Sequence, residues 1–401
     1  MNILRVITSM NPMLGGPSQG IRNSIPALQQ LGINNEIVCF DDPAREFIIG
    51  GDLTIHALGD GKGPWCYNSK FVSWLSDNLM RFDVVVIHGL WLYHSFACFQ
   101  VWNRLKKAGK GTVPRLYVMP HGMLDPYFQE SATRKLKAIR NRLYWQFIEG
   151  KIINNADGIL FTTEDELTLA RRSFRPYHPR SELNIGYGIP APQPYNKEMK
   201  AAFLAKCPEL KEHNYLLFLS RIHAKKGIDQ LIKVYIQLAD NGIKMPRLVI
   251  AGPGMDTAFG KDLAREAAKT ESILFPGMLT GDAKWGAFYG CEAFILPSHQ
   301  ENFGIALVEA MACGKPVLTT CQVNIWKDIE KGEAGLICED NEESIRKQLL
   351  SWNEMDIARK IQTGVNALRT YNQRFSIESN ALLMATMLGY QPEATTDQFH
   401  T

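Results

Sequence analysis

The stretch AFILPSHQENFGIALVEAMACGKPVLTT, residues 293–320, holds a strand, a loop, a helix and a second strand in one run. AFIL and PVLTT are short apolar runs bounded by turn residues, and the segment between them has helical length and pattern. A helix is expected to start near Gly304, with its first N–H groups free to meet an anion. Glu301 lies in the loop before it, and Glu309 sits about a turn and a half inside it, among Leu307, Val308, Ala310 and Met311. An ionised carboxylate withdrawn from water costs several kcal/mol, on the order of 5, unless donors compensate it. Each glutamate therefore needs a partner that this segment does not supply. A vicinal diol, as in ribose or a hexose, offers two O–H donors to one carboxylate and meets that need without a salt bridge.

The same alternation extends outward. YLLFLSR, RLVIAG, SILFPG, AFILPS and PVLTT form one series of strands separated by helical patterns. ILRVITS, NEIVCF, DVVVIHG, PRLYVMPHG and ADGILFTTEDE form another. Strand and helix in alternation imply a parallel sheet covered on both faces. The proline-rich IPAPQPYN, residues 189–196, separates the series. We expect two doubly wound α/β domains: residues 1–195 and 196–375, with helix 376–392 returning to the first and a flexible polar tail over 393–401.

Composition excludes several classes. The chain has 401 residues, 45% apolar and 21% charged, with net charge +3, which is an ordinary globular profile. No apolar run reaches the length of a membrane span, and the start MNILRVITSM reads as a strand rather than a targeting segment. Eight cysteines are scattered singly without a CxxC pair, which fits a reduced, cytoplasmic protein. There is no HxxxH and no Asp-x-Asp, so neither a dedicated metal site nor a cofactor is expected. Residues 101–145 carry ten Lys or Arg against Asp125 and Glu130. Within them, residues 131–147 interleave cations with Leu136, Ile139, Leu143, Tyr144, Trp145 and Phe147. This suits either a helix lying on an anionic membrane surface or a solvated face over a core stripe. No nucleic-acid module accompanies the charge.

Ligands of such sheets lie beyond the carboxyl ends of the strands. In the first half these positions hold Gly15 and Gly16 after strand one, His88 with Trp91 in VVVIHGLW, and His121 in YVMPHGML. In the second half Arg221 ends a strand and Lys226 precedes a helix, and this pair of cations suits a diphosphate.

SRIHAKKG, LVIAGPG and the long run FPGMLTGDAKWGAFYGCEAFILPSHQENFGIALVEAMACGKPVLTT, with two glutamates eight positions apart, together resemble the retaining nucleotide-sugar glycosyltransferases of GT-B fold, specifically family 4. The resemblance implies two Rossmann-like domains with a cleft between them. It implies that Glu301 bonds donor-sugar hydroxyls, Glu309 binds the nucleotide ribose, and Arg221 with Lys226 grips the diphosphate. Backbone groups of Asn302, Phe303, Gly304 and Ile305 would complete the donor site. His121 matches the histidine near the donor sugar, and Gly15 and Gly16 the loop facing the diphosphate. His88 and Trp91 are assigned to the acceptor side. MPHGMLDPYF and ILFTTEDE further resemble members that build capsular or exopolysaccharide chains, often on lipid-linked acceptors. The implied donor is UDP-glucose or a related UDP-hexose. The chain departs from the family after PVLTT, where CQVNIWKDI replaces a glycine-rich loop near the sugar. A UDP-sugar 2-epimerase, a nicotinamide dehydrogenase and a non-catalytic sugar-nucleotide binder are the alternatives.

Overall fold

The computed structural model describes residues 1–14, 16–49, 52–109, 111–130 and 135–390. They form two compact units, Met1–Gly188 with the described residues from Ile377 onward, and Ile189–Ser376. The chain leaves the first unit just before the proline-rich stretch and re-enters it with the helix Ile377–Met387.

The first unit holds seven parallel strands: β1 (Asn2–Val6), β2 (Asn34–Cys39), β3 (Thr54–Ala57), β4 (Val84–His88), β5 (Arg115–Met119), β6 (Gly158–Phe161) and β7 (Glu182–Asn184). Their order across the sheet is β3-β2-β1-β4-β5-β6-β7. The central strands are largely apolar because both faces are covered, with Arg5 in β1 and His88 at the end of β4 as buried exceptions. Alternate residues go to opposite sides. Ile3, Val84, Val86 and Met119 pack with Leu28 of helix Gly16–Gln30 and with Ala381, Met384 and Ala385 of the returning helix. Leu4, Val85, Ile87 and Val118 pack instead with Phe71, Leu75, Cys98 and Trp102.

The second unit holds β8 (Tyr215–Leu219), β9 (Arg247–Ala251), β10 (Ile273–Gly277), β11 (Ala293–Leu296), β12 (Val317–Thr320) and β13 (Gly335–Cys338) in the order β10-β9-β8-β11-β12-β13, again all parallel. In each sheet the winding direction reverses once, between β1 and β4 and between β8 and β11. The loops that follow those strands flank the crevice where doubly wound sheets take ligands.

The basic segment divides in an unexpected way. Helix Lys135–Tyr144 continues through a π-helical turn, Trp145–Glu149, into helix Gly150–Asn155. Trp145 is buried, but Leu136, Ile139, Leu143 and Phe147 are 57–85% exposed, beside exposed Lys137, Arg140 and Arg142. These four side chains form no core stripe. Residues 131–134, which begin the stretch, lie outside the described residues, as does the tail over 391–401.

Candidate functional site

The second unit builds its site from the two loops at the β8/β11 crevice. After β8 the chain makes a 3-10 turn, Ala224–Lys226, capped by His223, whose Nδ1 accepts from the Lys225 N–H at 3.1 Å. Gly227 follows with φ 65°, and a Cβ there would lie 2.0 Å from the Pro297 carbonyl oxygen. Only glycine permits that approach. It brings Lys226 against the loop after β11, where its ammonium pairs with the Glu301 carboxylate. The Glu301 backbone is itself fixed: its N–H donates to the Gln322 carbonyl at 3.0 Å, and its carbonyl accepts from Asn324 N–H at 3.0 Å. One residue earlier than Gln300, His299 is held by Asp340 at 2.7 Å. That bond raises the imidazole pKa and favours a charged pair.

Gly304, with φ 83°, turns the chain into helix Ile305–Ala312 and provides no side-chain cap. Leu307 N–H donates to the Gly304 carbonyl at 2.9 Å, which leaves the Ile305 and Ala306 N–H groups without an intrahelical acceptor at the end of the helix that follows Glu301. Asn302 accepts from the Asn324 amide at 3.3 Å, and Phe303 is buried with its ring edge-on to Phe375. Arg221 is exposed and makes no ion pair among the described residues. The structure does not bring it onto the Lys226–Glu301 contact.

Glu309 pairs with Lys284 at 2.7 Å, and the Lys284 ammonium also lies 4.7 Å from the centre of the Trp285 ring. The expectation that the two glutamates go without salt bridges is therefore corrected: each has a lysine partner. Neither is buried outright, since the Glu301 and Glu309 side chains keep 21% and 14% of their surface. Lys284 escaped the sequence reading because it sits in the first turns of helix Gly281–Gly290, not at a strand end.

In the first unit, His121 occupies the left-handed region (φ 53°), which is unfavourable for a side-chain-bearing residue. The device that holds it there is Glu166. This buried carboxylate accepts from Gly122 N–H at 2.5 Å, Thr162 N–H at 2.8 Å and the Thr162 hydroxyl at 2.6 Å. The segment ILFTTEDE thus anchors the histidine loop. His88 Nδ1 and His121 Nε2 are 2.9 Å apart with stacked rings, and His88 is buried. Burial, followed by the nearby Arg5 cation, holds His121 down at about 3, so the pair is neutral near pH 7. Gly16 starts its helix and accepts the Tyr187 hydroxyl at 2.6 Å, while Gly15 lies outside the described residues.

Trp91, assigned from sequence to the acceptor side, is largely buried. It is only 9% exposed and packs on Phe174, with ring centres 5.4 Å apart, in the core. Its backbone is also left-handed (φ 71°), and its N–H donates to Glu149 at 2.8 Å. Ser95 donates to the same Glu149 oxygen at 2.6 Å, and the other oxygen is buried without a partner. Burial pushes this carboxyl up to about 7. A carboxyl whose pKa is higher folded than unfolded adds stability in full below its unfolded value and loses it as pH rises to the folded one. Between pH 4.5 and 7 the loss is about 3 kcal/mol. Glu149→Gln, which mimics the protonated acid, should therefore be about 2–3 kcal/mol more stable than wild type at pH 8 and nearly equal to it at pH 5. Urea unfolding at the two pH values measures this, and an unchanged difference between them refutes it.

Comparison with known proteins agrees in both halves. Residues 15–181 match the family model described as a glycosyl transferase 4-like domain, and residues 200–363 match that of glycosyl transferases group 1. An uncharacterized glycosyltransferase of Haemophilus influenzae is 29% identical over 204 residues, 50% of this chain and 52% of its own length. A D-inositol 3-phosphate glycosyltransferase of Stackebrandtia nassauensis is 28% identical over 159 residues, 38% of this chain and 36% of its own. The alignments thus span about a third to a half of these relatives. Among solved structures, sucrose-phosphate synthase from Thermosynechococcus elongatus superposes with TM-score 0.69 at 18% identity, covering 96% of this chain and 98% of that one. HepE from Anabaena, solved with UDP-glucose, does so with TM-score 0.70 at 16% identity over 98% and 100%. At these identities the likeness is one of fold.

Proposed function

Because each half of the chain matches a glycosyl transferase family model and the fold is that of the GT-B enzymes, we propose that it moves a hexose from a nucleotide sugar, UDP-glucose or a related UDP-hexose, to a saccharide acceptor with retention of configuration. The observation that carries this reading is the Lys226–Glu301 pair at the β8/β11 crevice, beside the uncapped start of helix Ile305–Ala312. A diphosphate brought there meets an ammonium and the Ile305 and Ala306 N–H groups, both of which stabilise the charge that grows on a departing phosphate. Glu301 is placed to exchange its lysine for sugar hydroxyls, and Glu309 to exchange Lys284 for the ribose diol. Arg221, exposed two residues beyond the end of β8, is free to swing onto the phosphate. In this reading no base is needed: the leaving phosphate oxygen takes the proton of the acceptor hydroxyl on the same face. His121, neutral, is assigned to the donor sugar. Among the described residues no cluster of three or more His, Cys, Asp or Glu could hold a metal, and the cations replace one.

Incubation with a panel of UDP- and GDP-sugars tests the proposal. One donor should raise the unfolding midpoint and release its nucleotide, at the same rate with and without EDTA. Loss of release in EDTA with recovery in magnesium or manganese overturns metal independence. No response to any sugar nucleotide overturns the reading itself.

We assign the acceptor to lipid-linked saccharides in polysaccharide synthesis, in keeping with the exposed row Leu136, Ile139, Leu143 and Phe147 among Lys137, Arg140 and Arg142. Such a row lies on an anionic bilayer with its apolar side chains inserted and its cations at the headgroups. No helix among the described residues is long and apolar enough to cross a membrane. Flotation with anionic liposomes should capture the wild type and leave behind a variant with Lys137, Arg140 and Arg142 changed to Ser. Equal capture of both refutes surface docking by these cations.

A further inference from the structure

The first unit contains a buried cation that lacks a counter-charge. Arg5 is the fourth residue of β1, and alternation sends its side chain to the sheet face covered by helices Gly16–Gln30 and Ile377–Met387. It is 1% exposed. Its Nε donates to the Asn35 amide oxygen at 3.0 Å, and one terminal nitrogen reaches the Met384 sulfur at 3.6 Å. An amide and a thioether are neutral, and Arg5 makes no ion pair with any described residue. Beside it is a cavity of about 30 Å³, lined also by His88, His121, Tyr187 and Asn380. His88 turns a second unsatisfied group into the same region: its Nε2 is buried and has no partner.

A guanidinium withdrawn from water costs several kcal/mol, on the order of 5, unless an opposite charge and full hydrogen bonding compensate it. The protein usually supplies a carboxylate for this purpose. None is provided here, and burial lowers the Arg5 pKa to about 9, the mark of an uncompensated cation. The cavity has room for roughly two waters, at 10–15 Å³ each, which fits a halide or a single carboxylate.

We propose that Arg5, with His88 at its side, forms an internal site for one small monovalent anion in the first unit. The site is built from residues of the first unit, His121 among its lining, and does not depend on which sugar the protein transfers. A bound anion would complete the hydrogen bonding of the guanidinium and offer His88 Nε2 an acceptor, fixing the tautomer in which His121 Nε2 donates to His88 Nδ1 and leaving the His121 Nδ1 lone pair free.

Thermal unfolding of the whole protein at constant ionic strength, with gluconate replaced stepwise by chloride, bromide or formate, tests the site. Saturating anion should raise the midpoint of wild type by about 3 °C. Arg5→Met, which keeps the length of the side chain without its charge, should abolish the rise, and Arg5→Lys should retain part of it. A rise with formate but not with halide identifies the occupant as a carboxylate, and a rise with halide identifies a free ion. No rise with any of them, or an equal rise in Arg5→Met, overturns the proposal. Should Arg5→Met fail to fold, wild-type crystals soaked in the anion that raised the midpoint decide: density beside Arg5, anomalous in the case of bromide, supports the site, and its absence refutes it.

Discussion

Replacing Lys226 by alanine is expected to lower turnover of the donor sugar by about 10²–10³-fold, the usual consequence of removing one group that meets developing charge. The lysine is held at the crevice by the His223-capped turn and by Gly227 pressed against Pro297. Its contact with Glu301 makes the expected result more discriminating. If the pair were only a structural bridge, 13% and 21% exposed, breaking it from either side would cost a modest, similar amount of stability and leave chemistry alone. If both groups serve the donor, the losses differ. Glu301→Gln should lower kcat by about 100-fold while free nucleotide binds within about threefold of wild type, because sugar hydroxyls matter most as the ring gains positive charge. Glu309→Gln should chiefly weaken nucleotide binding and raise KM, because ribose contacts are alike in ground and transition states. Calorimetric UDP affinity beside steady-state kinetics separates these cases. Lys226→Ala turning over within fivefold of wild type, or equal damage to nucleotide binding by both glutamate variants, sinks the assignment.

The parts of the fold that could be read from the sequence were those buried on both faces. VVVIH, YLLFL and AFIL announce themselves because a central parallel strand has no polar side. The strands β3, β7 and β13 did not, and all three are sheet edges whose residues are only partly buried. An edge strand needs no continuous apolar run, so TIHA, ELN and GLIC carry little signal. The site follows the same logic. Candidates near strand ends, such as Glu301, Lys226 and His121, can be picked out by position alone. Lys284, within a helix, and Arg5, a charged residue in the middle of a strand, could not, because their roles depend on which element packs beside them. In sequence, an arginine in ILRVITS suggests a solvent-facing position, whereas the returning helix covers it.

Glu166 combines both situations, and its loss should be the most damaging single change in the first unit. Thr163-x-x-Glu166 has the spacing of a capping box, in which the glutamate would return to the N–H of its own cap residue. The first half of that box is present, since the Thr163 hydroxyl accepts from Glu166 N–H at 3.0 Å. The carboxylate goes elsewhere, to both donors of Thr162 and across to Gly122. A local helix signal has been diverted to clamp a distant loop. Glu166→Ala removes one acceptor from three buried donors at once, and hydrogen bonds to a charged acceptor contribute about 1.5–3 kcal/mol each, so a loss of about 4 kcal/mol is expected after partial relaxation. For a unit of this size that lowers the unfolding midpoint by about 10 °C. Turnover should fall well below that midpoint too, because the left-handed backbone of His121 is held by this clamp and relaxes without it. Glu166→Gln keeps an acceptor oxygen but not the charge, and should recover about half of the stability. Thermal unfolding and donor hydrolysis on the three proteins measure the effect. If Glu166→Ala melts within 2 °C of wild type and hydrolyses its donor within twofold, the His121 loop is held by something other than this carboxylate.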